Sequence, residues 1–332
     1  MADTPVQVIP PSSTSPGATP AIHRLRYTGA GSKLFGIWIT NWLLTIVTLG
    51  VYHFWGKTKI RRYFHENILF QEEPFAYLGT GRELFISALK FVGFFVLPFA
   101  LLLAAVTFLF QNQIVVIAVP ILYAVAFYCL RLYAQLSGMR YRANRMSWRG
   151  IRFALKVRRS EYLKLLITIG LLNIVTLGLY RPYGEYRMLN LLLNNLAYGS
   201  LHFVYQGDKS ELTGRYWLNW LLVPFTFGLS LMWYQARLQR HIAKSTRLDV
   251  MEFRYNITGG QLFWLAFSNA LMVSFSFGLL GAYALQRRLQ LFIDTLKIRN
   301  VPDFKAIKKT EKSADDQGGS ADYLGADEDF GF

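Results

Sequence analysis

The stretch at residues 44–52, LTIVTLGVY, decides the fold, because nearly the same letters return at residues 172–180 as LNIVTLGLY. A second pattern, Tyr-x-Gly, recurs at residues 26–29 (RYTG), 76–79 (AYLG) and 204–207 (VYQG). Most steps between copies are 50 residues, and one copy is 28 residues longer. A fixed period of this size is typical of chains built from internal repeats. The sequence therefore predicts five repeats of about 50 residues.

Long apolar runs fill these repeats. Hydrophobic residues make up 53% of the chain and charged residues only 17%, and a helix needs about 20 mainly apolar residues to cross about 30 Å of hydrocarbon. We count six such runs, at residues 33–55, 84–109, 112–133, 162–184, 216–234 and 262–285. Residues 91–110 are apolar on every helical face, which argues against a soluble helical bundle. The predicted fold is all-α and transmembrane, with about six spans.

The segments between and beyond the spans differ from them in pattern. Residues 67–77 and 196–205 each match two short strands around a turn, so β-hairpins are predicted between spans, able to pair into a small sheet outside the bilayer. Residues 1–22 are rich in Pro, Ser and Thr and lack the basic region and apolar core of a signal peptide. Residues 305–332 are highly charged. Both ends are predicted to be disordered tails of a membrane domain at residues 23–304.

The net charge of +16 indicates a membrane partner more strongly than a nucleic acid. Lys and Arg collect on the cytoplasmic side of membrane proteins and attract anionic lipid, and no nucleic-acid-binding motif accompanies the charge. Basic residues follow the spans together with Trp and Tyr, which favour the headgroup level. The candidate contacts to lipid headgroups are Lys59, Arg61, Arg62, Arg140, Arg237 and Arg240.

The distribution of positive charge leaves two topologies open. If all six spans cross singly, the basic loops at residues 56–83, 134–161 and 235–261 share one side of the membrane. Arg287 and Lys297 would then face the other side, against the positive-inside rule. The alternative is that a Gly-broken span is re-entrant.

Four asparagines in the middle of spans are candidate functional positions: Asn41, Asn173, Asn219 and Asn269. They could line a polar pore, or they could form hydrogen bonds between helices, which contribute about 0.6 kcal/mol each in a membrane. No Asp or Glu lies within the six runs. A proton-coupled mechanism that needs a buried carboxylate is therefore disfavoured.

The sequence contains no recognisable catalytic constellation. Its five histidines are scattered, the lone Cys129 cannot form an intramolecular disulfide, and neither a metal-binding spacing nor a P-loop is present. We therefore expect no enzymatic activity, metal or cofactor. The favoured function is a transporter- or channel-like repeat protein, since sites lie at repeat interfaces in such proteins. The alternative is a membrane scaffold that binds anionic lipid without transport; the oligomeric state is left open.

The chain resembles the DUF898 family. The likeness is carried by residues 27–31 (YTGAG) and 43–52 (LLTIVTLGVY), by Trp55 with residues 61–63 (RRY), and by residues 176–183 (TLGLYRPY). It covers about residues 23–300. The resemblance implies a multi-pass inner-membrane protein of bacterial type. It implies no reaction and no functional residues.

Overall fold

The computed structural model describes residues 22–109, 113–302 and 304. The predicted tails lie outside these residues, except for Ile22. The helices are α1 Gly31–Val47, α2 His53–Glu66, α3 Gly81–Phe91, α4 Leu97–Leu109, α5 Gln113–Arg145, α6 Arg159–Val175, α7 Arg181–Leu193, α8 Lys209–Leu222, α9 Ser230–Ser245, α10 Gly259–Phe275 and α11 Gly281–Thr295. A π-helical turn, Val92–Val96, joins α3 to α4.

The strands are short. They are β1 Ile22–His23, β2 Arg26–Tyr27, β3 Ile68–Phe70, β4 Glu73–Tyr77, β5 Met146–Trp148, β6 Ile151–Leu155, β7 Leu196–Tyr198, β8 Leu201–Tyr205, β9 Thr246–Leu248, β10 Met251–Tyr255 and β11 Leu296–Arg299. The predicted hairpins at residues 67–77 and 196–205 correspond to β3–β4 and β7–β8.

The elements follow one order five times along the described residues: extended segment, helical hairpin, strand. We number these units 1 to 5; they cover residues 22–70, 73–148, 151–198, 201–248 and 251–299. In each unit the two arms of the helical hairpin pack on each other. The second arm of each unit also packs on the first arm of the next unit, and α11 of unit 5 packs on α1 of unit 1. The helices therefore form a closed ring.

The strands close in the same way. Every pairing is antiparallel, and the order runs β1-β11-β10-β9-β8-β7-β6-β5-β4-β3-β2. The two ends of this order, β1 and β2, belong to one segment at residues 22–27. Ile22 pairs with Arg299 in β11, whereas Tyr27 pairs with Ile68 in β3. The N-terminal segment thus joins the last hairpin to the first.

One face of this sheet encloses an apolar core. Side chains alternate between the two faces of a strand, and the last buried residue of each unit's final strand points to the same cluster: Phe70, Trp148, Tyr198, Leu248 and Ile298. Phe304 completes the cluster, with its ring centroid 4.8 Å from that of Trp148. Burial of these large side chains stabilises the sheet by roughly 1.5–3 kcal/mol each.

A tight turn ends the first helix of four units. In unit 1, Leu49 and Gly50 have φ of 49° and 92°, and the Gly50 amide donates to the Thr45 carbonyl at 2.7 Å. The Thr48 hydroxyl donates to the Leu44 carbonyl and accepts from the Tyr52 amide at 2.9 Å, so it ties the end of α1 to the residue before α2. Units 3, 4 and 5 repeat the pair of positive φ values at Leu177-Gly178, Phe227-Gly228 and Phe277-Gly278.

These turns overturn the predicted all-α fold with six spans. Residues 33–55, 162–184, 216–234 and 262–285 each contain a helix end and a chain reversal, so none is a single spanning helix. Within the described residues only Gly81–Val106 is a helix long and apolar enough to cross a bilayer, and it falls in the predicted span at residues 84–109. The sheet of 11 strands also contradicts an all-α class. A hydropathy window fails here because apolar residues continue through the turn.

Candidate functional site

Two of the predicted asparagines join the arms of their own helical hairpins. Asn41 is 7% exposed, and its amide donates to the Gly56 carbonyl at 3.2 Å. Asn269 donates in the same way to the Ala284 carbonyl at 3.2 Å and accepts from Arg287 Nη1 at 3.0 Å. A Cβ at position 56 would lie only 3.0 Å from Asn41 Cβ, so the absence of a side chain there permits close helix contact.

The other two asparagines make different contacts. Asn219 is 5% exposed, and its backbone carbonyl accepts from the Ser230 hydroxyl at 3.0 Å. Asn173 is half-buried, and its Oδ1 has no hydrogen-bond partner in the described part of the chain. The four residues lie in four separate helices, the first arms of units 1, 3, 4 and 5.

The predicted headgroup contacts divide by exposure. Arg61 is buried, and its Nη1 donates to Tyr77 Oη at 3.3 Å. Arg140 is equally buried and Arg237 is half-buried. The exposed members of the set are Lys59, Arg62 and Arg240. Only the exposed cations can reach an anion outside the protein without a rearrangement.

Four basic residues stand at one level along the second arms of the short hairpins. Each lies nine residues after a turn glycine, which places it about 13 Å from the turn at 1.5 Å per helical residue. We call them the basic belt: Lys59, Arg187, Arg237 and Arg287. The sequence analysis missed Arg187 and Arg287. Their constant offset from Gly178 and Gly278 is the signal that could have identified them.

Aromatic rings hold some of these cations in place. Lys59 Nζ lies 5.2 Å from the centroid of the Tyr52 ring and donates to its hydroxyl at 2.5 Å. The Arg187 guanidinium lies 5.9 Å from the Tyr183 ring, and Lys209 Nζ lies 5.9 Å from the same ring. Such cation–π contacts contribute about 0.5–1 kcal/mol each at exposed sites. They fix positive charge beside rings that favour the headgroup level.

A tyrosine pocket recurs where the first segment of units 1, 2 and 4 meets the helices. In each unit the tyrosine hydroxyl occupies the space that a Cβ would need on the glycine two residues later. The hydroxyl oxygen lies 2.2, 2.6 and 2.2 Å from the ideal Cβ positions of Gly29, Gly79 and Gly207. In units 3 and 5 the position of this glycine is occupied by Val157 and Ile257, each 1% exposed. The five units therefore share a backbone but differ in the chemistry at this position.

Unit 4 adds a histidine and a carboxylate to its pocket. His241 is 4% exposed, and its Nδ1 lies 3.2 Å from Glu211 Oε2. Lys244 Nζ lies 3.8 Å from the other oxygen of Glu211. His241 Nε2 and Tyr205 Oη are both buried without a hydrogen-bond partner among the described residues. Burial raises the pKa of Tyr205 to about 12, so its hydroxyl stays protonated.

The pocket between units 1 and 2 is more basic. His65 Nδ1 donates to the Arg61 carbonyl at 2.8 Å, and burial lowers the pKa of its imidazole below 6.5. Glu83 at the start of α3 accepts from Tyr141 Oη at 2.9 Å and from Arg145 Nη2 at 3.0 Å. This side chain therefore ties the two arms of unit 2 together near the sheet.

An ionic network also lies among the apolar helices of units 3 and 4. Arg181 Nε donates to Glu185 Oε1 at 2.9 Å, and the Tyr234 hydroxyl donates to Glu185 Oε2. Tyr216 Oη donates to the Gly178 carbonyl at 3.0 Å beside them. Glu185 is seven residues after the turn glycine, about 10 Å from the turn. Sequence reasoning missed it because it lies one residue beyond the predicted span at 162–184.

Other kinds of site were sought in the described residues. No three His, Cys, Asp or Glu side chains there are grouped so that they could hold a metal ion. The two most prominent clefts have volumes of about 310 and 490 Å³. The first is lined by strand residues such as His202 and Arg247, and the second by Lys33 near the start of α1 and Tyr63 near the end of α2. Both lie near the sheet rather than at the apolar turns.

The ring of helical hairpins carries large apolar residues on its outer surface and basic residues at one level. These features are typical of a membrane protein. The family model described as bacterial protein of unknown function (DUF898) matches residues 22–229 and 218–322. The chain belongs to this family.

Curated relatives agree with a membrane location. The inner membrane protein YjgN of Salmonella typhimurium is 49% identical over 67 residues, which are 20% of this chain and 17% of the relative. The protein of the same name from Escherichia coli K12 is 33% identical over 132 residues, which are 40% of this chain and 31% of the relative. The aligned part thus spans less than a third of either relative. No solved structure matches the chain significantly. The names of these relatives support a location in the bacterial inner membrane.

Proposed function

We propose that this protein is a non-enzymatic membrane scaffold, built by internal duplication, that binds anionic lipid headgroups at its basic belt. The observation that carries the proposal is the common level of Lys59, Arg187, Arg237 and Arg287, nine residues from the turns. Lys59 and Arg187 are exposed and would contact the headgroups, whereas Arg237 and Arg287 are half-buried. Two of these cations lie against tyrosine rings that favour the membrane interface. The partner is an anionic lipid and not a nucleic acid.

Hydrogen bonding inside the hairpins supports this function over a pore. The amides of Asn41 and Asn269 are already used by carbonyls of Gly56 and Ala284 within the same units. Asn269 also uses its Oδ1, which accepts from Arg287 Nη1, whereas Asn41 Oδ1 has no hydrogen-bond partner among the described residues. The groups that can bind an anionic headgroup from outside are the exposed cations.

Salt-dependent lipid binding tests the proposal. The purified protein in mild detergent is mixed with fluorescent phosphatidylglycerol or phosphatidylcholine at low and high salt. A juxtamembrane cation contributes about 1 kcal/mol to anionic lipid binding. Replacing both exposed cations of α2, Lys59→Gln with Arg62→Gln, should therefore weaken phosphatidylglycerol binding about 30-fold.

The matched control removes the same charge from the sheet. Arg247 and Arg254 are exposed on strands β9 and β10, away from the belt. The double variant Arg247→Gln with Arg254→Gln should bind phosphatidylglycerol within about threefold of the wild type. Equal losses in both double variants, or binding that does not respond to salt, would contradict the proposed function.

A transporter is the second candidate, and the Glu185 network favours it. An ionisable group among membrane helices is a functional-site hypothesis by default, and this carboxylate is shared by Arg181 and Tyr234. Proton or solute flux into liposomes, abolished by Glu185→Gln with lipid binding unchanged, would select this function. Absence of flux in wild-type liposomes, together with salt-sensitive lipid binding, would select the scaffold.

A further inference from the structure

The hairpin of unit 2 is much longer than the others. Its first arm is a continuous helical run of 11, 5 and 13 residues, Gly81–Phe91, Val92–Val96 and Leu97–Leu109. The first arm of unit 1, Gly31–Val47, has 17 residues. The difference of 12 residues corresponds to about 18 Å at 1.5 Å per residue. Since all five hairpins start from the same sheet, unit 2 extends about 18 Å past the other turns.

The distance from the basic belt to the turns of the short hairpins matches the hydrocarbon thickness of one leaflet. The basic belt lies about 13 Å from the turns, and the hydrocarbon core of a bilayer is about 30 Å thick. With the belt at the headgroup boundary, the turns therefore lie near the middle of the bilayer. The turn residues suit that place, because Leu49 is 94% exposed, Phe227 96% and Phe277 92%, and all are large and apolar.

The length of the unit 2 hairpin beyond the belt level matches the hydrocarbon thickness of the whole bilayer. Adding about 18 Å to about 13 Å gives about 31 Å from the belt level to the end of α4, close to the full hydrocarbon thickness. The first arm contains Gly81–Val106, the described helix that is long and apolar enough to cross. In the sequence, polar residues follow soon after the end of α4, since positions 111–113 read Gln-Asn-Gln.

We propose that only the hairpin of unit 2 crosses the membrane, whereas the hairpins of units 1, 3, 4 and 5 enter from the cytoplasmic side and turn back near its middle. The binding partner of these four hairpins is the acyl-chain region of a single leaflet. The inference rests on helix lengths and exposed apolar turns, and it holds whether or not the belt selects anionic lipid.

This arrangement also removes the charge conflict of the sequence. With four re-entrant hairpins, the sheet, the basic belt and every basic loop lie on one side of the membrane. Arg287 and Lys297 then share that side with Lys59, as the positive-inside rule requires. Six single crossings would have placed them on opposite sides.

Cysteine labelling tests the depth of each turn. The native cysteine is removed by Cys129→Ser, and single cysteines are introduced as Asn112→Cys, Leu49→Cys, Phe277→Cys and Lys244→Cys. Lys244 serves as the cytoplasmic reference because its side chain is 71% exposed at the sheet end of α9. A charged maleimide that does not cross membranes is applied to spheroplasts and, separately, to inverted inner-membrane vesicles.

The expected pattern has three parts. Asn112→Cys reacts in spheroplasts only, Lys244→Cys reacts in inverted vesicles only, and the two short turns react from neither side until detergent is added. Labelling of Leu49→Cys or Phe277→Cys in spheroplasts would mean that a short hairpin crosses, and it would overturn the proposal. Protection of Asn112→Cys in spheroplasts, or the reverse sidedness of Lys244→Cys, would overturn it as well.

Lipid quenching gives an independent measure of depth. A fluorophore attached to Phe277→Cys in liposomes should be quenched most strongly by lipids that carry a nitroxide near the end of the acyl chain. Stronger quenching by a headgroup nitroxide would place the turn at a surface and contradict the proposal. Since the Phe277 side chain is exposed, this substitution removes little packing within the protein.

Discussion

Gly50 offers a test of the turn that divides the predicted spans. Its φ is 92°, a backbone conformation that favours glycine, and a Cβ added there would meet no atom within 4 Å. Gly36 in the middle of α1 likewise has nothing within 4 Å, but it is helical. Gly50→Ala and Gly36→Ala therefore add the same methyl group without a clash, and they differ only in the backbone conformation.

The two variants should move stability in opposite directions. A left-handed conformation costs a residue with a Cβ roughly 1–2 kcal/mol, so Gly50→Ala should destabilise the protein by about that amount. Within a helix, alanine is favoured over glycine by about 1 kcal/mol, so Gly36→Ala should be neutral or stabilising. The expected difference in the free energy of unfolding is roughly 2–3 kcal/mol. Gly50→Asn should lie between them because Asn tolerates positive φ.

Unfolding in mixed micelles provides the measurement. The free energy of unfolding is obtained from titrations with sodium dodecyl sulfate, followed by tryptophan fluorescence and far-ultraviolet circular dichroism. Gly278→Ala repeats the experiment in unit 5, where φ is 85° and the Cβ space is also open. If Gly50→Ala and Gly36→Ala shift the free energy equally, the strained turn is wrong and a continuous helix through residues 33–55 becomes tenable.

Three further predictions concern the packing and charge of the ring. Gly56→Ala should destabilise unit 1 by roughly 1–3 kcal/mol in the same assay, because the new Cβ would crowd Asn41; unchanged stability would mean that the two arms are not in close contact. Thermal stability in detergent should fall as the pH drops below about 6.5, because the imidazole of His65 binds a proton in the unfolded chain but stays neutral when it is buried in the folded protein. The variant His65→Gln should reduce this dependence of stability on pH. An identical slope in the variant would assign the effect to other groups. Thr258→Ala should cost about 1 kcal/mol by removing the capping box with Gln261, whereas Ser274→Ala in the same helix should cost little; equal losses would count against the cap.

The amino-acid sequence predicts the two β-hairpins at residues 67–77 and 196–205 well, because strands and turns leave local signals. The Gln71-Glu72 turn and the Gly199-Ser200 turn both follow strand-like patterns, and the structure has β-hairpins at both places. The closure of these hairpins into one sheet could not be predicted. It depends on pairings such as Ile22 with Arg299, which lie far apart in the chain and have no local signature.

The error in the spans has a specific physical origin. A hydropathy window measures the tendency of side chains to leave water, and it does not detect the direction of the backbone. The signal that was present is a Thr or Ser, a large apolar residue and Gly in the middle of each run, as in Thr48-Leu49-Gly50. A hydroxyl that accepts from the amide four residues later and a glycine with positive φ together predict a reversal.

The candidate headgroup residues illustrate a similar limit. The sequence identifies the basic segments after each turn but not which cation is exposed. Arg61 and Arg62 are neighbours, yet the first is buried against Tyr77 and the second is exposed, because successive helical residues face different directions. The Asn41 and Asn269 contacts correspond to one of the two alternatives for these residues, hydrogen bonds between helices.

The closure of the ring by residues 22–27 has a consequence for biosynthesis. β1 can find its partner only after the ribosome has made β11, more than 270 residues later. At about 5–20 residues per second, this takes roughly 14–55 seconds. For that time the nascent chain carries open strand edges, which are prone to pair with the wrong partner. Premature stop codons before residue 296 should therefore yield chains that quality-control proteases recognise, even when every preceding hairpin has already entered the membrane.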